Sequence, residues 1–152
     1  MVNRSTSELS FPRPAIGGSR LTSNPGVGSI KRIDHIGVMV ADADAAVGTF
    51  TAQFGFVTTD DWIEPDGAFR LVYLDSGDTT MQLVQPLTQG PLMDDLNSRG
   101  EGLHHVCFLV DDLDNAIGDN PTNSDPYVGG RGSRVCFLAE RRHGVLVELT
   151  EP

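Results

Sequence analysis

Cysteine is scarce: the 152 residues include two, Cys107 and Cys136. Both stand in apolar runs, and neither has the close cysteine or histidine spacing of a zinc knuckle. They read as small buried hydrophobes, compatible with a reducing compartment, and not as a disulfide framework. Long hydrophobic runs are missing too. No segment approaches the roughly 20 apolar residues of a membrane span, and no charged start leads into an apolar signal core, so a soluble, cytoplasmic chain is expected. Basic side chains are also few, 11 Lys and Arg against 21 Asp and Glu, a net charge of −10. That balance disfavours nucleic acid as a partner, because binding phosphate requires a basic face.

The charge is unevenly spread. Residues 1–32 carry five basic side chains against Glu8 alone, which leaves the body from residue 33 onward with 6 basic and 20 acidic side chains, a net of −14. Such a body repels anions at long range, so an anionic ligand would need a local cation. Residues 1–29 are rich in Ser, Pro, Gly and Asn without an apolar period, the composition of a flexible arm. Their Arg-rich, acid-poor character also fits an organellar transit peptide and matrix location, although no amphipathic helix is evident.

From residue 30 the 39% hydrophobic content organises into periodic segments sufficient for one core. Ile33 to Val40 alternates as a strand, with His35, Gly37 and Met39 on one face. Asp42 is placed to cap a helix carrying Ala46, Val47, Phe50 and Phe54 on one stripe and ending at Gly55. Strands follow at Phe56–Thr59, Ala68–Leu74 and Thr79–Val84, the last two joined by a turn at Asp75-Ser76-Gly77-Asp78. A short helix from Pro91 to Gly100 connects to a second half. There Leu103 to Val110 is a strand, Asp112 caps a helix over Leu113, Ala116 and Ile117, and Val135–Ala139 and Val145–Thr150 are the last strands. Gly118 and the Pro-rich stretch after it cut that helix short and leave the following strand missing or minimal.

The halves repeat each other. A shift of 70 residues matches His35 with His105, Val40 with Val110, Asp42 with Asp112 and Asp44 with Asp114; the final strands match Gln82 with Glu148. Singly, a strand histidine is usually a hydrogen-bonded packing residue, and a strand Gln or Glu usually faces solvent. Two histidines and two oxygen donors at equivalent repeat positions point instead to a shared metal site. Strand alternation places His104 on the face opposite His105, as a packing residue or a partner to the ligands.

The repeat, with Ile33-Asp34-His35-Ile36, Gly100-Glu101-Gly102-Leu103-His104-His105 and Gly144-Val145-Leu146-Val147-Glu148-Leu149, resembles the vicinal oxygen chelate superfamily (glyoxalases, bleomycin-resistance proteins and dioxygenases). Within it the chain most resembles the methylmalonyl-CoA epimerases. The resemblance implies an α+β fold of paired βαβββ modules, here residues 30–90 and a shortened 100–152. It implies one divalent ion (Co, Ni, Mn, Zn or Fe) held by His35, Gln82, His105 and Glu148. It further implies a homodimer that epimerises an acyl-CoA thioester by abstracting the proton beside a carbonyl, with Glu148 as both ligand and base. Counting from Gly67, the place of the family's second carboxylate base holds Arg70, which cannot accept a proton but could clamp a carboxylate or simply reach solvent. Tyr73, Glu64 and Asp66 are the other base candidates. The loop Tyr127–Gly132 reads either as a turn or as a lid or phosphate contact, and His143 as a turn residue. Rival functions are a non-haem iron dioxygenase using His35, His105 and Glu148, a glyoxalase-type lyase, and a metal-free drug-binding module.

Overall fold

The computed structural model describes residues 30–152, so the arm expected over 1–29 lies outside the described residues. The chain runs β1 (Ile30–Met39), α1 (Ala43–Phe54), β2 (Val57–Ile63), β3 (Phe69–Asp75), β4 (Thr80–Pro86) and α2 (Pro91–Arg99). It continues as β5 (Gly102–Val110), α3 (Leu113–Ile117), β6 (Tyr127–Val128), β7 (Arg134–Phe137) and β8 (Leu146–Thr150). These strands form one mixed sheet in the order β2-β3-β4-β1-β5-β8-β7-β6. The order is palindromic: β1 pairs parallel with β4, β5 pairs parallel with β8, and β1 and β5 meet antiparallel at the centre. The fold is the expected pair of βαβββ modules. The strand expected to be minimal is β6, two residues long.

Each module packs its helix beneath its own strands. In the first, Val40, Ala43, Val72, Leu74 and Leu83 form a cluster joined by Val47 and Phe50 of α1. The second has Val110, Leu113, Ala116, Cys136, Leu138 and Leu149 in the corresponding places. Cys136 stands where module one has Val72, which explains a buried thiol there by packing alone. A third cluster, Met39, Leu71, Tyr73 and Val84 with Trp62, Phe69 and Leu92, lies on the other face of the sheet, against α2.

The polar braces are duplicated as well. Asp42 caps α1 by accepting from the Ala45 N–H at 3.0 Å, and Asp112 caps α3 by accepting from Asn115 at 2.9 Å. Gln85 Oε1 accepts from the Ala43 N–H at 3.2 Å and Glu151 Oε2 from Leu113 at 2.8 Å. Arg70 reaches from β3 to Asp44 at the start of α1 at 3.0 Å, and Arg134 reaches from β7 to Asp114 at 2.9 Å. Arg70 also makes a two-pronged pair with Asp61 on the edge strand β2, at 2.8 and 2.7 Å.

Three boundaries differ from expectation. The edge strand β2 runs past the expected end at Thr59 to Ile63 through Asp60 and Asp61, residues with little strand propensity, because β3 supplies pairing partners as far as Ile63. Phe54, expected on the buried stripe of α1, is 64% exposed. It closes an aromatic cluster with Phe50 and Phe56, at ring centroid distances of 6.1 and 6.3 Å. β7 stops at Phe137, and Leu138 continues as an isolated bridge to Thr122.

Arg70 is thus a brace on the helix face of the sheet. Replacing it with alanine is expected to lower the unfolding free energy by about 1 kcal/mol in urea titration while leaving the metal content of the folded protein unchanged.

Candidate metal centre

The residues expected to form a site lie on the four central strands, β4, β1, β5 and β8, facing away from α1 and α3. Pairing aligns Gly37 with Gln82 on one side and with His105 on the other, and Cys107 with Glu148. Gln82, His35, His105 and Glu148 are each only 3–5% exposed. Three of them meet closely. His35 Nε2 is 3.1 Å from His105 Nε2 and 3.0 Å from Glu148 Oε2, and His105 Nε2 is 3.3 Å from that same oxygen.

Two β-bulges produce this convergence. The β1/β5 pairing gains an extra residue at Asp34 on β1 and another at His104 on β5. A bulge releases its residue from strict alternation and re-aims the side chain. Asp34 therefore lies alongside His35, its Oδ2 2.9 Å from Nδ1, and His104 lies alongside His105, with Nδ1 to Nδ1 at 2.8 Å. The expectation that His104 points to the opposite face is corrected by this bulge: it lines the same cavity as His105. Asp34 and His104 are equivalent under the 70-residue shift, so each module supplies a polar residue that engages the Nδ1 of its histidine.

One tautomer of each histidine makes this arrangement a metal-binding one. With Nδ1–H of His35 donated to Asp34, and Nδ1–H of His105 donated to His104, both Nε2 lone pairs aim at Glu148 Oε2. Burial and the neighbouring His105 push His104 down to about 4, so it is neutral and free to accept. Three electron-rich atoms about 3 Å apart repel unless a cation lies among them. Glu148 Oε2 has, moreover, no true hydrogen bond: the two imidazole nitrogens are near enough, but the angles are wrong. Ligands sharing an ion at about 2.1 Å are about 3.0 Å apart in octahedral and about 3.4 Å in tetrahedral geometry. The donor set therefore fits a divalent metal ion.

Without the ion, protons on the imidazoles stabilise the same carboxylate. Burial alone would raise the Glu148 carboxyl, but the His105 and His35 imidazoles outweigh it and bring the group down to about 2. Burial acts to lower His35, yet Asp34 and Glu148 raise it overall. Proton and metal thus compete for Nε2 of His35.

The neighbours complete the enclosure. Gln82 donates its amide N–H to the Tyr73 hydroxyl at 2.8 Å, in the same cavity. Tyr73 packs edge-on against His35 with centroids 6.1 Å apart, and its module-two counterpart Phe137 packs edge-on against His105 at 5.1 Å. Cys107 is fully buried, within 4.8 Å of donor atoms of Asp34 and His35, and burial pushes its thiol upward. Above these residues opens a cavity of about 250 Å³, walled by Trp62, Phe69, Leu71 and Val84 from module one and by Tyr127–Arg131, Val135 and Phe137 from module two.

A sequence profile of the Glyoxalase/Bleomycin resistance protein/Dioxygenase superfamily matches residues 34–137. The chain belongs to this superfamily. Among its members, the human mitochondrial methylmalonyl-CoA epimerase is 28% identical over 160 aligned positions, covering 95% of this chain and 90% of that protein. The uncharacterized protein YqjC of Bacillus subtilis is 29% identical over 131 residues, covering 81% and 94%. A crystal structure of a Streptomyces coelicolor methylmalonyl-CoA epimerase variant with 2-nitronate-propionyl-CoA superimposes with a TM-score of 0.72 at 33% identity, covering 81% of this chain and 95% of that one.

Other expected positions fall as follows in this superfamily member. Glu64 and Tyr73 line the cavity, but Arg70 does not. Counting from Gly67 had put Arg70 where a base would stand, yet the cavity face of β3 is Phe69, Leu71 and Tyr73, and Arg70 points to the helices. The loop Tyr127–Gly132 is more than a turn, because it forms a cavity wall. His143 holds the positive φ of 52° that a turn residue adopts. Asp34 and Arg131 were not singled out in the sequence. The available signal for Asp34 was a polar residue directly before each repeat histidine.

Gly37 gives a sharp test of the centre, since a Cβ there would come within 2.1–2.7 Å of the His105 ring. Gly37→Ala should displace that ring and weaken cobalt binding on the order of 10-fold or more by titration, with circular dichroism unchanged.

Proposed function

We propose that the protein is a metal-dependent epimerase that moves the proton on the carbon between two carbonyl groups of an acyl-CoA thioester, as in methylmalonyl-CoA. The observation that carries this reading is the convergence of His35 with His105 and Glu148, the last two lining a cavity that also contains Gln82. Those four residues would hold the ion, Gln82 through its amide oxygen, because its nitrogen donates to Tyr73. When bound, the ion supplies Lewis-acid stabilisation for the negative charge that develops on the substrate oxygens as the proton leaves. The relatives named methylmalonyl-CoA epimerase, and the bound 2-nitronate-propionyl-CoA in one of them, support the substrate class.

Epimerisation removes a proton from one face of a carbon and returns it to the other, so two proton-handling groups are required. Glu148 from module two and Glu64 from module one are the two carboxylates lining the cavity among the described residues. Glu64 takes the role that counting from Gly67 had assigned to the place of Arg70. Burial raises Tyr73 to about 12, so it stays protonated and orients Gln82. The apolar walls keep bulk water from the reacting carbon and strengthen each charge interaction inside.

One observation favours a second reading. The two histidines and one carboxylate form a compact triad, the donor set of a non-haem iron dioxygenase, and the Gln82 amide is tied to Tyr73. Solvent exchange separates the two. Cobalt-loaded protein in deuterium oxide should incorporate deuterium at the α-carbon of methylmalonyl-CoA. Glu148→Ala should slow this by on the order of 10²-fold or more, and Glu64→Gln should slow it similarly with full metal content. Absence of exchange in the metal-replete wild type, with oxygen uptake on a catechol by the iron form, would move the assignment to the dioxygenase.

A further inference from the structure

Apart from the histidines, Arg131 is the one basic residue lining the cavity among the described residues. The other basic residues after position 33 are engaged elsewhere. Arg70 and Arg134 brace the helices, Arg99 pairs with Asp95, Arg142 pairs with Glu140, and Arg141 donates to the carbonyls of His104 and Gly144. In a body with a net charge of −14, and with Glu148 and Glu64 in the same cavity, Arg131 is the one Arg or Lys side chain that an anionic ligand can meet there besides the proposed ion.

The loop carrying Arg131 is built to aim it. A Cβ on Gly130 would lie 3.0 Å from Leu71 Cδ1 and from the Tyr73 hydroxyl, and 3.1 Å from the Trp62 ring, so the loop backbone presses directly on module one. Gly132 then turns the chain with a φ of +84°, which an L side chain rarely adopts. Between these anchors the Arg131 guanidinium carbon stacks 4.7 Å from the Tyr73 ring centroid, and one terminal nitrogen donates to Asp34 Oδ2. Asp34 is itself held on His35. The stacking fixes the plane of the guanidinium, and its other N–H donors have no protein acceptor among the described residues.

From this geometry we infer that Arg131 is a specificity-determining residue: it binds the substrate's free carboxylate and selects acyl thioesters bearing an acid group over neutral acyl thioesters. The inference rests on the epimerase reading for the thioester part, and on the loop geometry alone for the carboxylate part. A planar guanidinium fork matches a carboxylate with two parallel hydrogen bonds, whereas a neutral acyl group offers it nothing. Asp34 serves as counterion in the free protein, and Arg131 remains next to it when the second anion arrives.

Calorimetric titration of the cobalt-loaded full chain with malonyl-CoA, propionyl-CoA and malonate tests this. Wild type should bind malonyl-CoA more tightly than propionyl-CoA, on the order of 10- to 100-fold, and Arg131→Gln and Arg131→Ala should erase the preference while keeping cobalt and circular dichroism. If wild type ignores both thioesters but binds malonate in an Arg131-dependent way, the carboxylate assignment stands and the epimerase reading falls. Variants that retain the wild-type preference overturn the assignment, as does a wild type that binds both thioesters equally tightly. Loss of cobalt in both variants also overturns it, because Arg131 would then act through Asp34 to position His35.

Discussion

The site depends on the antiparallel seam between β1 and β5. This is the only place where the two modules share backbone hydrogen bonds among the described residues, and each of its strands carries a bulge one residue before a histidine. Without the bulges, Asp34 and His104 would alternate away from the cavity, and neither imidazole would have a partner at Nδ1. With them, each Nδ1 is occupied, and each Nε2 presents its lone pair to one point beside Glu148. A register shift along this seam would move every donor to the other face of the sheet, so pairing register and metal-ligand geometry are a single constraint.

The duplication separates what holds the fold from what makes the chemistry. Caps, helix braces and core clusters are alike in the two modules: Asp42 and Asp112, Arg70 and Arg134, Val72 and Cys136. Departures from symmetry concentrate around the candidate metal centre, where Gly37 corresponds to Cys107, Gln82 to Glu148, Asp34 to His104, and Tyr73 to Phe137. The result is a candidate centre with one carboxylate among its donors, a second carboxylate and a third imidazole beside the two histidines, closed on the module-two side by a loop that delivers Arg131. A symmetric site could not tell the two ends of a substrate apart, and this one has a positively charged end.

Much of this was legible in the sequence. The 70-residue repeat, the Asp-capped helices and the alternating strands carried the βαβββ architecture, and equivalence under the repeat brought His35, Gln82, His105 and Glu148 into one group. What escaped was whatever depends on departure from ideal alternation or on long-range pairing. His104 was placed on the wrong face because a bulge has no local signature in Leu103-His104-His105. Arg70 was counted into a catalytic place because side-chain direction on β3 depends on pairing with β4, and its twin, Arg134, lies in a module whose spacing differs. Arg131 is invisible until the loop is seen to cross to the other module. The edge strand β2 gave little signal because its partner, not its own propensity, holds it extended.

The central claim is that one ion lies among His35, His105 and Glu148, with Gln82 completing its protein ligands. Anomalous diffraction at the cobalt edge from crystals grown with cobalt addresses it directly. The predicted result is one peak per chain, bonded at about 2.1 Å to both Nε2 atoms and to the Glu148 carboxylate. A folded chain that takes up no cobalt, or binds it away from these three residues, would contradict it.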